Sequence, residues 1–321
     1  MHSNRKGDVM LKYVLKRLGY ILVTLWVIVT CTFFMMKNLP GTPFDAERFS
    51  IMTPQQQERV LEMYGLNDSL PMQYVKYIKN MLKGDLGTSF TYVNQDVSKV
   101  ITGRVGPSAL MVIQAVLIGL AIGLIVGILA AWKHNSGIDY FTMILAVLGV
   151  SVPNFVAAAL LQYYIGLKWG VLPVGFWTGW NCSVLPSIAL SFSATAMVAR
   201  FMRTEMLDVL DQDYIVTARA KGLSQMKVLM RHAVRNSILP VVTILGPIVV
   251  NLMTGSLAVE NIFSIPGIGS LFVDCIKAND YPVIMGITIF YAAFYMLIVL
   301  LVDLAYSLID PRIRLAKGKE S

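Results

Sequence analysis

Residues Asp213–Pro240 have the sequence DYIVTARAKGLSQMKVLMRHAVRNSILP, a basic and polar island between two strongly apolar stretches. Gly222 divides the island, and glycine adopts without steric penalty the left-handed backbone conformation at which many helices end. Ser224 follows, and its hydroxyl oxygen can cap a second helix by accepting a hydrogen bond from a free backbone N–H. The island therefore predicts a helix, a tight turn and a second helix, held on one side of a membrane.

Composition points independently to a membrane protein. Of the 321 residues, 56% are hydrophobic and only 14% are charged, whereas soluble domains carry roughly 25% charged residues. A helix needs about 20 apolar residues to cross a bilayer, and six stretches meet this requirement. The predicted spans are Leu18–Met36, Ala109–Ala131, Tyr140–Leu167, Val184–Met202, Ile238–Val259 and Val283–Leu304, of which the third is long enough to be tilted or broken.

The distribution of Lys and Arg predicts the orientation of these spans. With the N-terminus in the cytoplasm, most basic residues fall in cytoplasmic segments, and the short external loops hold only Lys168 and Lys277, as the positive-inside rule requires. Attraction to the anionic inner leaflet accounts for the net charge of +8, so nucleic-acid binding is not needed to explain it. The first span is too long for a signal peptide, and no small-residue cleavage site follows it. We therefore expect an uncleaved anchor and two cytoplasmic termini.

These predictions divide the chain into consecutive parts with different surroundings. They are a cytoplasmic N-terminal segment (1–17), a first transmembrane helix (18–36), an external helical segment (37–108), a transmembrane core (109–304) that carries a cytoplasmic loop at 206–237, and a cytoplasmic tail (305–321). The external segment is too polar to lie in the membrane and too long to be an ordinary turn.

Two short helices are predicted within the external segment. The Thr-Pro pair that opens the first, over 53–65, is typical of a helix start, with Thr as the cap and Pro in the first turn. The second, over 70–84, places Tyr74, Ile78 and Leu82 on one face at spacings of four. A glycine closes each helix. Because two such helices bury little surface alone, we expect them to pack on the membrane domain or on each other.

Small residues recur every four positions along the second span. This spacing lines them into a groove on one helix face, which lets a neighbouring helix approach closely. The positions are Ala115, Gly119, Gly123, Gly127 and Ala131. We interpret the groove as a packing surface that carries no information about a substrate.

Prolines predict breaks or bends in the helical structure, at Pro153 and Pro247 within spans and at Pro266 after the fifth span. Pro153, followed by Asn154, removes a backbone donor inside the third span, which is tolerated only where protein or cavity water satisfies the freed carbonyl. The expected bend either lines a cavity or is a packing kink. After the fifth span, Glu260 begins the stretch ENIFSIPGIGSLF, in which Pro266 and Gly267 break the helix. A short helix at the outer interface is expected to follow.

Several kinds of catalytic and binding motif are missing from the sequence. No Gly-rich phosphate loop ends in Gly-Lys-Ser/Thr, so the chain is not expected to bind ATP by itself. No metal-ligand pair of His and no nucleophile elbow occurs, so no catalytic residue, cofactor or metal is predicted. The three cysteines form no framework, although Cys182 and Cys275, both in predicted external stretches, could in principle pair.

The order of residues in the island resembles a known family. TARAKG followed by RHAVRN and then a Pro is similar to the "EAA" loop of ABC importer permeases, in the version of the oligopeptide and dipeptide permeases. The chain departs from the general pattern at two positions. Where the pattern begins with Glu this chain has Val216, and where the pattern ends with Pro this chain has Arg235. SVPNF, ENIFSIPGIGSLF, ANDYPVIMG and LIDPRIR also resemble this family, and the resemblance runs from Leu11 to Arg314.

The resemblance implies a fold, a set of partners and roles for particular residues. It implies an all-α, polytopic type I ABC importer permease fold with six transmembrane helices and an external helical insert, in a bacterial or archaeal cell membrane. The chain would be the first permease subunit and would form a peptide path with a second related permease. Two ATPase subunits would bind ATP and Mg, and an external binding protein would deliver the substrate, with the external segment either docking that protein or serving as a structural insert.

The implied site residues fall into two groups. Those expected in the loop that grips the ATPase are Tyr214, Ala218, Arg219, Ala220, Lys221, Gly222, Leu223, Ser224, Arg231, His232, Arg235 and Asn236. Those expected at a path or external gate are Pro153, Asn154, Glu260, Pro266 and Gly267, with a surface hairpin as the alternative for the last three.

Three alternatives stay open at this point. The same architecture could import nickel chelates, glutathione or another small solute. A secondary carrier should show buried ionisable residues or internal repeats, and an intramembrane enzyme should show catalytic side chains at depth. Neither feature is evident, since acidic residues cluster at the span ends.

Overall fold

The computed structural model describes residues 2–38, 49, 51–63, 65–92 and 95–309. Among these residues the regular structure is helical, and the β-pairing consists of one isolated antiparallel bridge between Thr88 and Asp96. The predicted all-α class is therefore confirmed. The chain divides into two compact units, Met1–Gly106 with Leu271–Met296, and Pro107–Ser270 with Leu297–Ser321.

The described residues form a series of α-helices along the chain. In chain order they are α1 (His2–Lys37), α2 (Pro54–Met63), α3 (Leu70–Met81), α4 (Val97–Trp132), α5 (Gly137–Ser151), α6 (Asn154–Leu161), α7 (Val184–Leu210), α8 (Asp213–Ala220), α9 (Gln225–Val228), α10 (Arg235–Ile262), α11 (Ile268–Lys277) and α12 (Tyr281–Ile309). Two π-helical turns, Gln162–Lys168 and Leu229–Val234, and a 3₁₀ turn, Trp180–Ser183, join neighbouring helices.

Five helical stretches are long and apolar enough to cross a membrane, and a bent pair makes a sixth if it counts as one span. The five are Leu15–Lys37, Val97–Trp132, Trp180–Leu210, Gln225–Ile262 and Tyr281–Val302, and the bent pair is Gly137–Ser151 with Asn154–Lys168. The two halves of the pair meet at 96°. This bend is the break expected in the third span, because a residue before proline is disfavoured in helical conformation and Val152 is extended, with ψ of 117°.

Most membrane helices extend past the apolar spans predicted from the sequence. Helix α4 begins at Val97 and includes Pro107, and the helical stretch Gln225–Ile262 runs through the end of the basic island without a break. The apolar stretch marks only the part that suits a bilayer, whereas backbone hydrogen bonding carries a helix on into polar sequence. The predicted second helix of the island is therefore the start of the fifth membrane helix.

In the first unit, the N-terminus of α2 has the predicted cap in a stronger form. The Gln56 N–H donates to Thr53 Oγ1 at 3.3 Å, and the Thr53 N–H donates to Gln56 Oε1 at 2.9 Å. This reciprocal pair is a capping box, which satisfies two backbone donors that a helix start leaves free.

Helix α3 packs on α1 in the same unit. Tyr74 and Ile78 contact the buried cluster that includes Val29 and Phe33, and the Tyr74 hydroxyl lies 2.7 Å from Thr30 Oγ1. Two of the three residues predicted on the apolar face, Tyr74 and Ile78, thus pack against α1. Leu82 is 78% exposed, because α3 ends at Met81 and the chain leaves the helix there.

In the second unit, α7 is the helix against which α5, α6 and α10 pack. Its buried face is rich in small side chains, among them Ala189, Ala194, Ala196 and Ala199. Small residues let membrane helices approach closely, so one helix accommodates several neighbours. This arrangement supports both ends of the basic island, which lies between α7 and α10 in the chain.

Candidate functional site

The tight turn of the basic island is built around Gly222. Its φ is +78°, the left-handed conformation that the sequence predicted. The Gly222 N–H donates to the Arg219 carbonyl at 2.9 Å, and the Leu223 N–H donates to the Ala218 carbonyl at 3.4 Å. These two bonds form a Schellman motif, which satisfies the last carbonyls of α8. The turn therefore sets the angle between α8 and α9 through a conformation that suits glycine.

Ser224 lies at the start of α9, as predicted, but its side chain does not cap the helix. Its backbone is extended, with φ of −61° and ψ of 147°, and its side chain makes no capping hydrogen bond. The predicted hydroxyl cap is wrong. The Ser224 carbonyl accepts from the Val228 N–H at 3.0 Å, which is the ordinary first hydrogen bond of a helix and is made with or without a side-chain cap.

A small apolar cluster packs against the turn and stabilises it. Ile215 and Ala218 of α8 and Val228 are buried together. Leu223 packs against them, and so do Val209 and Leu210 near the end of α7. A hydrophobic contact from the residue after the left-handed glycine is typical of the Schellman motif. The elbow formed by α8, the turn and α9 is thus anchored on α7.

The outer side of this elbow exposes apolar and basic side chains together. Tyr214, Val216, Met226 and Met230 are between 43% and 59% exposed. The exposed basic residues are Arg219, Lys221, Lys227, Arg231 and Arg235. None of these five makes an ion pair with another residue in the described part of the chain. A mixed surface of this kind is suited to a protein partner, because its centre can be desolvated while its charges steer association.

The remaining predicted loop residues lie around the same elbow. The Asn236 side-chain amide donates to the Tyr214 hydroxyl at 2.9 Å, which ties α10 to α8. Ala220 is exposed at the end of α8, and His232 is half-buried in the π-helical turn. The structure therefore brings the whole predicted set to one elbow.

The small-residue groove of α4 faces α7. A Cβ atom added to Gly119, Gly123 or Gly127 would lie 2.6–2.8 Å from atoms of α7, including Ala194 Cβ and the Ala199 carbonyl oxygen. Such distances are far below van der Waals contact, so a side chain at any of the three would force the helices apart. The flanking Ala115 and Ala131 are buried.

A buried hydrogen-bond network centres on Glu260 at the end of α10. Its carboxyl group accepts bonds from Ser108 Oγ at 2.7 Å and Ser256 Oγ at 2.9 Å through Oε1, and from the Ser270 N–H at 2.9 Å through Oε2. Ser108 Oγ in turn accepts from the Ile268 N–H at 2.9 Å. Glu260 and Ser108 thereby satisfy backbone donors at the start of α11, which a helix leaves free.

The Pro266-Gly267 turn closes directly over this network. A Cβ atom at Gly267 would lie 2.3 Å from Glu260 Oε2 and 2.5 Å from Ser108 Oγ, so the backbone approaches in a way that only glycine allows. Pro153 and Asn154 lie elsewhere, at the break between α5 and α6. No hydrogen bond among the described residues joins them to the Glu260 network. The five residues assigned to a path or gate thus fall into two separate places.

An ion pair that the sequence did not predict joins α5 and α7. Asp139 is buried, and its two carboxylate oxygens accept from Arg203 Nε and Nη2, each at 2.7 Å. His134 Nδ1 lies 3.1 Å from the same carboxylate, and the Asn135 N–H donates to it at 3.0 Å. Asp139 lies immediately before the predicted span Tyr140–Leu167, where an acidic side chain is favoured, but nothing in the sequence selects Arg203 as its partner.

A second missed residue is Asp280, in the first unit. It is buried and accepts hydrogen bonds from the Thr91 N–H at 3.0 Å and from Ser89 Oγ. It also caps α12, because the Val283 N–H lies 3.4 Å from its Oδ1. The Asp-Tyr-Pro order is a usable signal, with Asp as the cap and Pro in the first turn.

No residue of the described part of the chain belongs to a group of three or more His, Cys, Asp or Glu side chains that could hold a metal ion. All three cysteines are free thiols, and Cys182 and Cys275 are buried. Burial, followed by the carboxylates of Asp280 and Asp274, raises the pKa of Cys275 to about 12. Its thiol is therefore unreactive at neutral pH.

Comparisons with known proteins identify the family. Residues 123–315 match the family described as "Binding-protein-dependent transport system inner membrane component", and residues 10–110 match "Binding-prot-dependent transport system membrane comp, N-term". A solved "amino acid ABC transporter with histidines" shares the fold, with a TM-score of 0.51, 19% identity, and coverage of 67% of this chain and 94% of that one.

Curated relatives match over almost their full length. The "Dipeptide transport system permease protein DppB" of Lactococcus lactis subsp. cremoris is 45% identical over 95% of this chain and 100% of its own. The protein of the same name in Bacillus subtilis is 42% identical over 96% and 99%. The "Oligopeptide transport system permease protein OppB" of Salmonella typhimurium is 39% identical over 95% and 100%. This chain therefore belongs to the family of binding-protein-dependent transport system inner membrane components.

Proposed function

We propose that this chain is one of two permease subunits of an ABC importer for peptides. The observation that carries the proposal is the full-length similarity to proteins named as dipeptide and oligopeptide permeases. The chain is a multi-pass inner-membrane transport component and not an enzyme. In the proposed complex a second, related permease completes the path, two ATPase subunits bind ATP and Mg, and an external binding protein delivers the peptide.

The proposed orientation places both termini and the α8–α9 elbow in the cytoplasm. The positive-inside distribution of Lys and Arg supports it, as does the concentration of exposed basic side chains on the elbow. Residues 37–108 would then be external, with α2 and α3 as the helical insert. Of the proposed cytoplasmic tail at 305–321, residues 310–321 lie outside the described residues.

The elbow is the proposed coupling element. ATP-driven closure of the ATPases would move α8 and α9, and the helical stretch Gln225–Ile262 connects them to the other end of α10. The Glu260 network and the Pro266-Gly267 turn lie at that far end, so we assign them to the outer closure of the path. Movement at the elbow would be carried along this stretch, which includes a π-helical turn, Pro240 and Pro247, and would bias the position of the outer turn.

Single cysteines at Gln55 and Gln225 are expected to label from opposite sides of the membrane. Both side chains are exposed, on α2 and α9 respectively. In a functional cysteine-free background, an impermeant thiol reagent added to intact cells should modify position 55 and should reach position 225 only after permeabilisation. Modification of position 225 in intact cells would contradict the proposed orientation.

The complete transporter, and not this chain alone, is expected to hydrolyse ATP. The purified subunit should show no turnover, because its sequence has no phosphate-binding loop. The reconstituted complex should hydrolyse ATP faster when peptide-loaded binding protein is added, and should accumulate labelled peptide in vesicles. Import of a nickel chelate or of glutathione with no import of peptides would exclude the proposed substrate class, and ATP-independent uptake driven by a proton gradient would indicate a secondary carrier.

A further inference from the structure

The second unit contains an open cavity that the coupling elbow and the Glu260 network do not use. Its volume is about 440 Å³, within the range of about 300–1,000 Å³ typical of small-molecule sites. Helices α5, α7 and α10 all contribute to its wall. The lining residues are Val150, Met197, Arg200, Phe201, Thr204 and Ile244. A single charged group, the Arg200 guanidinium, therefore faces a predominantly apolar cavity.

Arg200 has no partner within the described part of the chain. Its side chain is exposed, and no hydrogen bond or ion pair of its guanidinium is found there. Ion pairs along a helix form at spacings of three and four residues, and these positions around Arg200 carry no carboxylate. They are Ala196, Met197, Arg203 and Thr204.

The neighbouring Arg203, in contrast to Arg200, forms an ion pair within this unit. One turn further along α7, it donates two hydrogen bonds of 2.7 Å to the buried Asp139 carboxylate. An arginine within a membrane-crossing helix is costly unless it faces a partner or a water-filled cavity. Since Arg203 already binds Asp139, no carboxylate of the described residues pairs with Arg200, which is therefore available to an anion of a bound molecule.

The surface next to the cavity is suited to a solute more than to lipid chains. Ile244 of the cavity wall shares one face of α10 with Pro247, Asn251 and Thr254, which follow at spacings of three, four and three residues. The last three are exposed. Exposed polar side chains within a membrane-crossing helix favour a water-lined route or a packed neighbour over a lipid-facing surface. Two polar side chains, Asn251 and Thr254, thus follow Pro247 along the exposed face of α10.

We infer that Arg200 binds the C-terminal carboxylate of the transported peptide, while the apolar wall accommodates its last side chain. The inference rests on the proposed function. A guanidinium matches a carboxylate because its fork can donate two parallel hydrogen bonds. Every unmodified peptide carries this group whatever its sequence, so one arginine provides recognition that does not depend on side chains. Arg200 is the one charged group among the residues that line this cavity, so a carboxylate that enters it meets a single guanidinium.

The test compares a free-acid peptide with its C-terminal amide in vesicles that contain the complete transporter. Arg200→Gln should lower uptake of the acid by about tenfold or more, since hydrogen bonds to charged groups are the strong class. It should lower uptake of the amide by no more than about threefold, because the amide carbonyl accepts one hydrogen bond from Arg200 but carries no charge to pair with it. Arg200→Lys should be intermediate for the acid, because an ammonium keeps the charge but loses the fork.

Each peptide's uptake by the variant is divided by its uptake by the wild type, so any preference of the unchanged binding protein cancels. If the binding protein rejects the amide, the same ratio is taken from binding of both peptides to the purified permease complex. Equal losses for acid and amide would overturn the inference and assign Arg200 to assembly of the complex. A loss confined to vesicles with anionic lipids would overturn it in favour of a lipid phosphate. If the wild type imports neither peptide, the proposed function itself fails.

Discussion

Gly222→Val is expected to abolish most uptake while the protein stays in the membrane at normal levels. At φ of +78° a β-branched side chain clashes with its own backbone, and holding such a residue there costs about 1–3 kcal/mol. A Cβ atom at this position meets no other atom within 4 Å, so the cost is local to the turn. The turn will relax, and α8 and α9 will then meet the ATPase at a changed angle.

The expected size of the effect follows from the coupling that the elbow supplies. A loss of about 1–3 kcal/mol between two coupled sites lowers the response roughly 5- to 150-fold. Gly222→Ala should be milder, because alanine tolerates the left-handed region better than a β-branched residue. Arg219→Ala, which removes a charge without backbone strain, should be milder still. Co-purification of the ATPase with the membrane subunit and uptake of labelled peptide are measured together.

Gly84 offers a matched control for this experiment. Its φ is +82°, and a Cβ atom there also meets nothing within 4 Å, so Gly84→Val carries the same backbone strain at the end of α3. It should leave ATPase co-purification unchanged. If Gly222→Val supports wild-type uptake in an intact complex, the elbow is not the coupling element. If both variants lose the ATPase equally, the cause is a general loss of stability.

Local backbone chemistry was the part of the structure that sequence reasoning predicted well. Gly222, the Thr53 cap and the break at Pro153 each depend on residues within a few positions of one another. Their conformations follow from steric limits on one or two peptide units. The same holds for the small-residue spacing of α4, which needed only the period of a helix. Such local conformations can be predicted from the sequence without knowledge of any tertiary contact.

Contacts between distant segments were beyond these rules. Ser108 and Glu260 are 152 residues apart in the chain, and Arg203 and Asp139 are 64 apart. A single sequence contains many serines and arginines, and nothing local selects one as the partner. The Ser224 cap is a local prediction that was wrong, because a serine at the N-cap position allows a side-chain hydrogen bond but does not require one.

Glu260→Leu is expected to cause the second large loss of transport. Leucine would fill a similar volume but would leave the Ser270 N–H without its acceptor, since that donor is buried at the start of α11. An unsatisfied buried donor costs about 1–3 kcal/mol. The hydroxyls of Ser108 and Ser256 can rotate toward other acceptors, whereas the backbone N–H cannot. The start of α11 will therefore shift, and with it the Pro266-Gly267 turn assigned to the outer closure.

Glu260→Gln keeps the shape and the hydrogen-bonding capacity of the side chain and removes only its carboxylate, so it distinguishes loss of hydrogen bonds from loss of the acidic group. The amide can place its carbonyl oxygen on the Ser270 N–H and turn its NH₂ toward the oxygens of Ser108 and Ser256, so most of the network can re-form. We expect Gln to retain most of the uptake and Leu to lose about tenfold or more, in keeping with the cost of one or two unsatisfied donors. In the Leu variant, ATP hydrolysis should persist but respond weakly to loaded binding protein, because the elbow is intact while the outer end is displaced.

The neighbouring Asn261 supplies the control. Its side chain is exposed and bonds only to the Leu257 carbonyl, at 2.9 Å, among the described residues, so Asn261→Ala changes the same helical turn without touching the network. It should behave as the wild type. Membrane levels and thermal stability of the purified complex are measured for all three variants. If Glu260→Leu keeps both its uptake and its response to binding protein, the network is a structural feature of α10 and the outer closure lies elsewhere.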